Sequence, residues 1–176
     1  MEVHYALASY LRGLVIQRFY DGVAVIDADG NRIEGNFIGA DAGSASAAGN
    51  RCHGVSTSGV EEGRGSHNNV LGGSTPHARN LISRNGCVGV GIGPGSNNKV
   101  QGNTIGAYAG STLPLLNARD GVYVYNASHD NTIGGPAAGE ANLIAFNGGY
   151  GVMVSGDFGA ASNTITRNRI HSNARR

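Results

Sequence analysis

One tripeptide recurs along the chain and limits what it can fold into. Asn-x-(Ile/Val/Leu) occurs at Asn31-Arg32-Ile33, Asn69-Val70-Leu71, Asn98-Lys99-Val100, Asn131-Thr132-Ile133 and Asn163-Thr164-Ile165. Successive copies lie 38, 29, 33 and 32 residues apart. A second run follows each of them: Asn36-Phe37-Ile38, Asn80-Leu81-Ile82, Asn103-Thr104-Ile105, Asn142-Leu143-Ile144 and Asn168-Arg169-Ile170. A third run is led by glycine, as in Gly22-Val23-Ala24-Val25, Gly54-Val55, Gly89-Val90-Gly91-Ile92, Gly121-Val122-Tyr123-Val124 and Gly151-Val152-Met153-Val154. Fixed-period repetition of short apolar runs is the mark of a solenoid, whose units bury their apolar face only by stacking.

Each repeat holds three strands too short to stand alone. Stacked at ~4.8 Å per coil, each becomes one rung of a long parallel sheet. Alternation along a rung turns one side chain inward and the next outward, so Ile, Val and Leu fill the interior in columns. Asparagine suits the corners, because it tolerates left-handed backbone and its amides can bond rung to rung. The fold class is therefore all-β: a right-handed, single-stranded parallel β-helix of about five coils of ~32 residues, forming one domain over 1–176. Coils alternate between two types. The ten-residue inserts 40–49 and 107–116 match in length, as do the shorter inserts 74–79 and 136–141.

Composition excludes several functions. The net charge is +1 with basic residues scattered, which argues against nucleic acid as partner. No apolar run approaches the ~20 residues a bilayer span needs. Met1 to Tyr10 lacks the pattern of a signal peptide.

The runs Asn36 to Asn50, Gly72 to Asn85 and Gly134 to Asn147 resemble the parallel β-helix repeats of large bacterial secreted and cell-surface proteins, the pectin-lyase-like right-handed kind. The segment Ala78-Arg79-Asn80-Leu81-Ile82-Ser83-Arg84-Asn85 is especially similar, and the resemblance covers roughly residues 12–170. It implies the fold and an extracellular or cell-surface setting, and it implies no activity. Tyr108 departs from the family's loop, which usually carries Asp as Asp41 does in the first copy; this argues against a repeated metal site there.

Ionisable groups that fall on neighbouring rungs are the candidates for chemistry. The residues before the third-strand glycines form a column of Asp21, His53, Val88, Asp120 and Tyr150. A carboxylate beside a histidine can do acid–base work, and Arg119, Tyr20 and Tyr150 add groups that suit a sugar. Tyr108 is a further aromatic ligand-binding candidate. The bland alternative is a row of polar residues facing water. Glu61, Glu62 and His67 lie in the one insertion without a counterpart, and this makes them the second catalytic candidate. Asp27, Asp29 and Asn31 have the alternating oxygens of a calcium loop, though Asp-Gly is also an ordinary turn; calcium is the one cofactor suggested. Cys52 and Cys87 both sit two residues before their glycine, on adjacent rungs. They are either a disulfide or two reduced, packed thiols.

At the ends, residues 1–11 read as a candidate N-terminal cap and 171–176 as an incomplete last coil. Open coil ends, or the apolar tip Leu113-Pro114-Leu115-Leu116, would pair with a partner or a second copy. Two functions fit this reading. The first is a non-catalytic extracellular module that binds polysaccharide or a surface protein, or serves as a rigid scaffold. The second is a carbohydrate-active enzyme (lyase, hydrolase or epimerase) with its site on the outer face.

Overall fold

A computed structural model describes residues 1–40, 48–60, 64–108, 113–156 and 159–175. Eighteen short strands, all paired in parallel, wind through three six-stranded sheets. The first sheet contains β1 (Glu2–His4), β4 (Val23–Ile26), β7 (Val55–Ser58), β10 (Val90–Ile92), β13 (Val122–Val124) and β16 (Val152–Val154). The second contains β2 (Tyr10–Arg12), β5 (Arg32–Glu34), β8 (Val70–Gly72), β11 (Lys99–Gln101), β14 (Thr132–Gly134) and β17 (Thr164–Thr166). The third contains β3 (Val15–Ile16), β6 (Phe37–Ile38), β9 (Leu81–Ile82), β12 (Thr104–Ile105), β15 (Leu143–Ala145) and β18 (Arg169–His171). Each coil contributes one strand to each sheet, so the chain is a parallel β-helix. The apolar residues stack as the repeat requires: Leu11, Ile33, Leu71, Val100, Ile133 and Ile165 pair rung to rung in one column.

The coil count corrects the sequence reading. There are six rungs per sheet, because Met1 to Tyr10 is no cap but part of the first coil. Val3 of β1 points inward and pairs with Val25, while Glu2 and His4 face outward. This coil hides its nature because no asparagine stands at its corners. Ser9, Leu14 and Phe19 hold those places, and their backbone N–H groups donate to the Oδ1 atoms of Asn31, Asn36 and Asn50. At the other end, His171 is the last residue of β18 and pairs with Ala145.

Three asparagine ladders run up the corners. They link Asn31-Asn69-Asn98-Asn131-Asn163, Asn36-Asn80-Asn103-Asn142-Asn168 and Asn50-Asn85-Asn117-Asn147-Asn173 through Nδ2-to-Oδ1 bonds of 2.8–3.1 Å. The second hydrogen of most of these amides goes to a backbone carbonyl at the corner, as from Asn98 to Ser66 at 2.8 Å. Corner carbonyls that would otherwise be buried without a donor are satisfied in this way.

Candidate functional site

The third ladder and the first sheet meet at a corner where backbone bonds fix two columns of side chains. In one, the N–H groups of Cys52, Cys87, Arg119 and Gly149 donate in turn to the carbonyls of Tyr20, Cys52, Cys87 and Arg119. Cys52 and Cys87 are thus directly superposed, with Cα atoms 4.5 Å apart, and they form a disulfide. The bridge ties adjacent coils 35 residues apart in sequence. Replacing both by serine should lower unfolding free energy by about 2–3 kcal/mol, measured in urea. An unchanged midpoint would mean that the ladders alone hold these coils.

The neighbouring column holds Asp21, His53, Val88, Asp120 and Tyr150. Its carboxylates are engaged by backbone. Oδ1 of Asp21 accepts the His53 N–H at 2.9 Å, and its Oδ2 lies 3.4 Å from Ser56 Oγ. Oδ1 of Asp120 accepts the Tyr150 N–H at 2.6 Å. Burial pushes the His53 imidazole to a lower pKa; Asp21 opposes that shift and Arg119 reinforces it. The ring is therefore neutral at neutral pH, and its buried Nδ1 has no hydrogen-bond partner. Asp120 sits two rungs beyond His53, about 9.6 Å away, with buried Val88 between them. Asp21 and His53 come together; Asp120 does not join them.

The other sequence candidates scatter. Asp27 Oδ2 accepts the Val60 N–H, and Asp29 Oδ1 accepts the His67 N–H. Asn31 is fully buried in the first asparagine ladder. Asp29, Asn31 and one oxygen of Asp27 are therefore engaged in coil-to-coil bonds, while Asp27 Oδ1 is buried without a hydrogen-bond partner. His67 belongs to that same corner: its Nδ1 accepts the Ser96 N–H at 3.0 Å, which is a structural use of the ring. Glu61 and Glu62, and Asp41 in its loop, lie outside the described residues. Tyr20 is exposed at the disulfide corner. Tyr108 packs on Ala40, Leu81 and Leu115, away from that corner. Leu115 is buried there, whereas Leu113 and Leu116 are exposed, so only part of the loop tip folds back. Tyr150 carries the Arg175 guanidinium 5.7 Å from its ring centre and lines a recess of about 330 Å³ with Arg119, Asp120, Met153 and Arg175.

Sequence reasoning missed the outer face of the first sheet. Glu2, Ala24, Ser56, Gly91, Tyr123 and Met153 form one outward column. Tyr123 and Tyr125 stack with ring centres 4.9 Å apart. The Tyr125 ring lies over the previous coil, where Gly91 and Gly93 leave room. A Cβ on Gly93 would meet its Oη at 3.2 Å, and one on Gly91 would come within 3.7 Å of Cε1 and 4.0 Å of His53 Nδ1. Burial raises the Tyr125 hydroxyl pKa, with Asp21 and Tyr123 adding to it, so the hydroxyl keeps its proton. The signal was available: these are the alternate, outward positions of the glycine-led runs.

Three parallel sheets and asparagine corners define a β-helix repeat protein. The family model described as periplasmic copper-binding protein (NosD) matches residues 3–176, and the chain belongs to that family. No curated protein matches it. No helix among the described residues is long and apolar enough to cross a membrane. Among the described residues, the grouping of His, Cys, Asp and Glu side chains within reach of one ion is Cys52, His53 and Cys87, whose donor atoms lie within 4.8 Å of one another.

Proposed function

We propose that the chain is a non-catalytic β-helix module acting outside the cytoplasm, and that the outer face of its first sheet binds an extended polysaccharide. The observation that carries this reading is the stacked pair Tyr123 and Tyr125 on that face. The small, buried Ala24, Ser56 and Gly91 fill the outward column of the earlier coils, and Tyr123 and Tyr125 stack beside them with ring centres 4.9 Å apart. An aromatic face offers a sugar ring apolar contact at little entropic cost, while the tyrosine hydroxyls offer hydrogen bonds. Arg119, Tyr150 and Arg175 extend polar contacts along the same edge. The engagement of Asp21 and Asp120 by backbone N–H groups supports binding without turnover, since an enzyme needs acid and base to converge on one bond. A disulfide bridge and the secreted repeats that the sequence resembles support an oxidising compartment.

A panel of neutral and acidic polysaccharides tests this. Binding without new reducing ends or unsaturated uronides is expected, and Tyr123→Ala and Tyr125→Ala should each weaken it about ten-fold, equivalent to ~1.4 kcal/mol. Product formation lost in Asp120→Asn would replace the module with an enzyme. The family description names copper, and among the described residues the side chains grouped within reach of one ion are Cys52, His53 and Cys87. With both sulfurs bridged, that corner offers an ion only the imidazole.

A further inference from the structure

We infer that Arg119 and Arg175 form an anion-binding notch beside the tyrosine pair, and that the polysaccharide bound there carries carboxylate or sulfate groups. The inference rests on the polysaccharide reading above and names the charge of the chain that is bound.

Three observations place the notch. The Gly149 N–H donates to Arg119 O and the Arg175 N–H to Gly149 O, each at 2.9 Å, so the three residues stand on successive rungs. The two arginines are therefore about 9.6 Å apart at Cα, with a residue that has no side chain between them. Both line the recess of about 330 Å³ that Tyr150 and Met153 help to enclose. Among the described residues, moreover, neither guanidinium has an ion-pair partner. Arg175 is steadied by the Tyr150 ring, 5.7 Å from its centre, through a cation–π contact that needs none of its N–H donors. Lastly, the floor of the notch is kept low. A Cβ on Gly149 would collide with Asp120 Oδ1, and Gly148 beside it is exposed.

Electrostatics select the ligand. Asp120 is the carboxylate that lines the recess; it is buried, and its Oδ1 is already taken by the Tyr150 N–H at 2.6 Å. Two guanidiniums against one carboxylate leave an excess of positive charge. Cations held on one recess repel each other, and an oxyanion seated between them replaces that repulsion with charge-assisted hydrogen bonds. The planar fork of arginine matches the paired oxygens of such a group.

Placement ties the notch to the platform. Met153 pairs with Tyr123 on the adjacent rung, so the recess begins ~4.8 Å from the aromatic pair. One stretch of polymer can lay a ring face on the tyrosines and an acidic group between the arginines. A neutral polymer fills the first and leaves the second empty.

The test uses the full chain and polymers matched in backbone: carboxymethyl-cellulose and cellulose sulfate against neutral hydroxyethyl-cellulose, and polygalacturonate against its methyl ester. Isothermal titration at low and high salt reads the binding. A charged polymer should bind about ten-fold tighter than its neutral counterpart at low salt and lose that advantage at high salt. Arg119→Gln and Arg175→Gln should each cut the advantage to about two-fold or less, with an unchanged urea midpoint because both side chains are exposed. Lys99→Gln removes the same charge from the outer face of the second sheet and should keep the advantage. Of carboxylate and sulfate, the tighter ligand identifies the group that the notch takes. Equal binding of charged and neutral polymers overturns the notch and leaves the tyrosine reading in place. So does an advantage that both arginine variants keep, or that Lys99→Gln loses to the same extent. Failure of every polymer, charged or neutral, to bind the parent overturns both.

Discussion

Asn98→Ala should lower the unfolding free energy by about 4 kcal/mol, among the largest losses available to a single polar side chain here. Asn98 stands mid-ladder and is fully buried. Its Oδ1 accepts both the backbone N–H and the Nδ2 of Asn69, each at 3.0 Å. Its Nδ2 donates to Asn131 Oδ1 at 3.0 Å and to Ser66 O at 2.8 Å. Alanine strands two donors of Asn69 and the carbonyl of Ser66, all on the preceding coil, and each buried unsatisfied group costs about 1–3 kcal/mol. Asn98→Asp separates hydrogen bonding from size. The carboxylate still accepts from Asn69, but it sets an oxygen against Asn131 Oδ1 and Ser66 O and buries a charge. It should be as destabilising as alanine at neutral pH. Burial raises the carboxyl pKa above its unfolded value, so the defect should shrink as pH falls and the group regains a donor hydrogen. Asn163→Ala, at the partly exposed end of the same ladder, should cost about 1 kcal/mol. Urea unfolding of the three variants is the measurement. Equal losses at Asn98 and Asn163 would mean that the ladder is not a continuous chain of buried bonds.

The same ladder explains what could be read from the residues alone. Asparagine at the corners and aliphatic residues two places on are local demands of the coil, so the column from Ile33 to Ile165 was legible. The first coil was not, because the ladder begins there with the bare N–H groups of Ser9, Leu14 and Phe19. A backbone donor needs no particular side chain, and so it leaves no mark in the sequence.

The site was harder to read because polar residues in a solenoid have two employers. Asp21, Asp29, Asp120 and His67 resemble catalytic or metal-binding groups by type, yet each accepts a backbone N–H from the next coil. Sequence spacing placed Asp21 beside His53 and Cys52 over Cys87, since both relations are one rung apart. It did not reveal which oxygen was already spent. Alternation places Tyr125 outward, but its seat over Gly91 and Gly93 depends on the absence of side chains one coil earlier.

Gly89→Ala is expected to cost about 3–5 kcal/mol, or to prevent folding, although the backbone there is one that any residue can adopt. Gly89 lies in the column of Gly22, Gly54, Gly121 and Gly151, where the third ladder turns into the first sheet. A Cβ at Gly89 would lie 2.6 Å from Ile105 Cγ2, 2.7 Å from Gly121 O and 2.9 Å from Asn117 Nδ2. None of the three can retreat. Ile105 is fully buried, Gly121 O accepts the Val90 N–H at 2.9 Å, and Asn117 Nδ2 is bonded to Asn147. The glycine is there for space. Two other glycines separate space from backbone freedom. Gly13 has open surroundings but φ of +71°, so Gly13→Ala should cost about 1 kcal/mol through left-handed strain alone. Gly156 has open surroundings and no left-handed strain, so Gly156→Ala should fall within about 0.5 kcal/mol of the parent. If Gly89→Ala proves as mild as Gly13→Ala, the coils can spread at that corner. The close stacking that superposes Cys52 on Cys87 would then be looser than the structure implies.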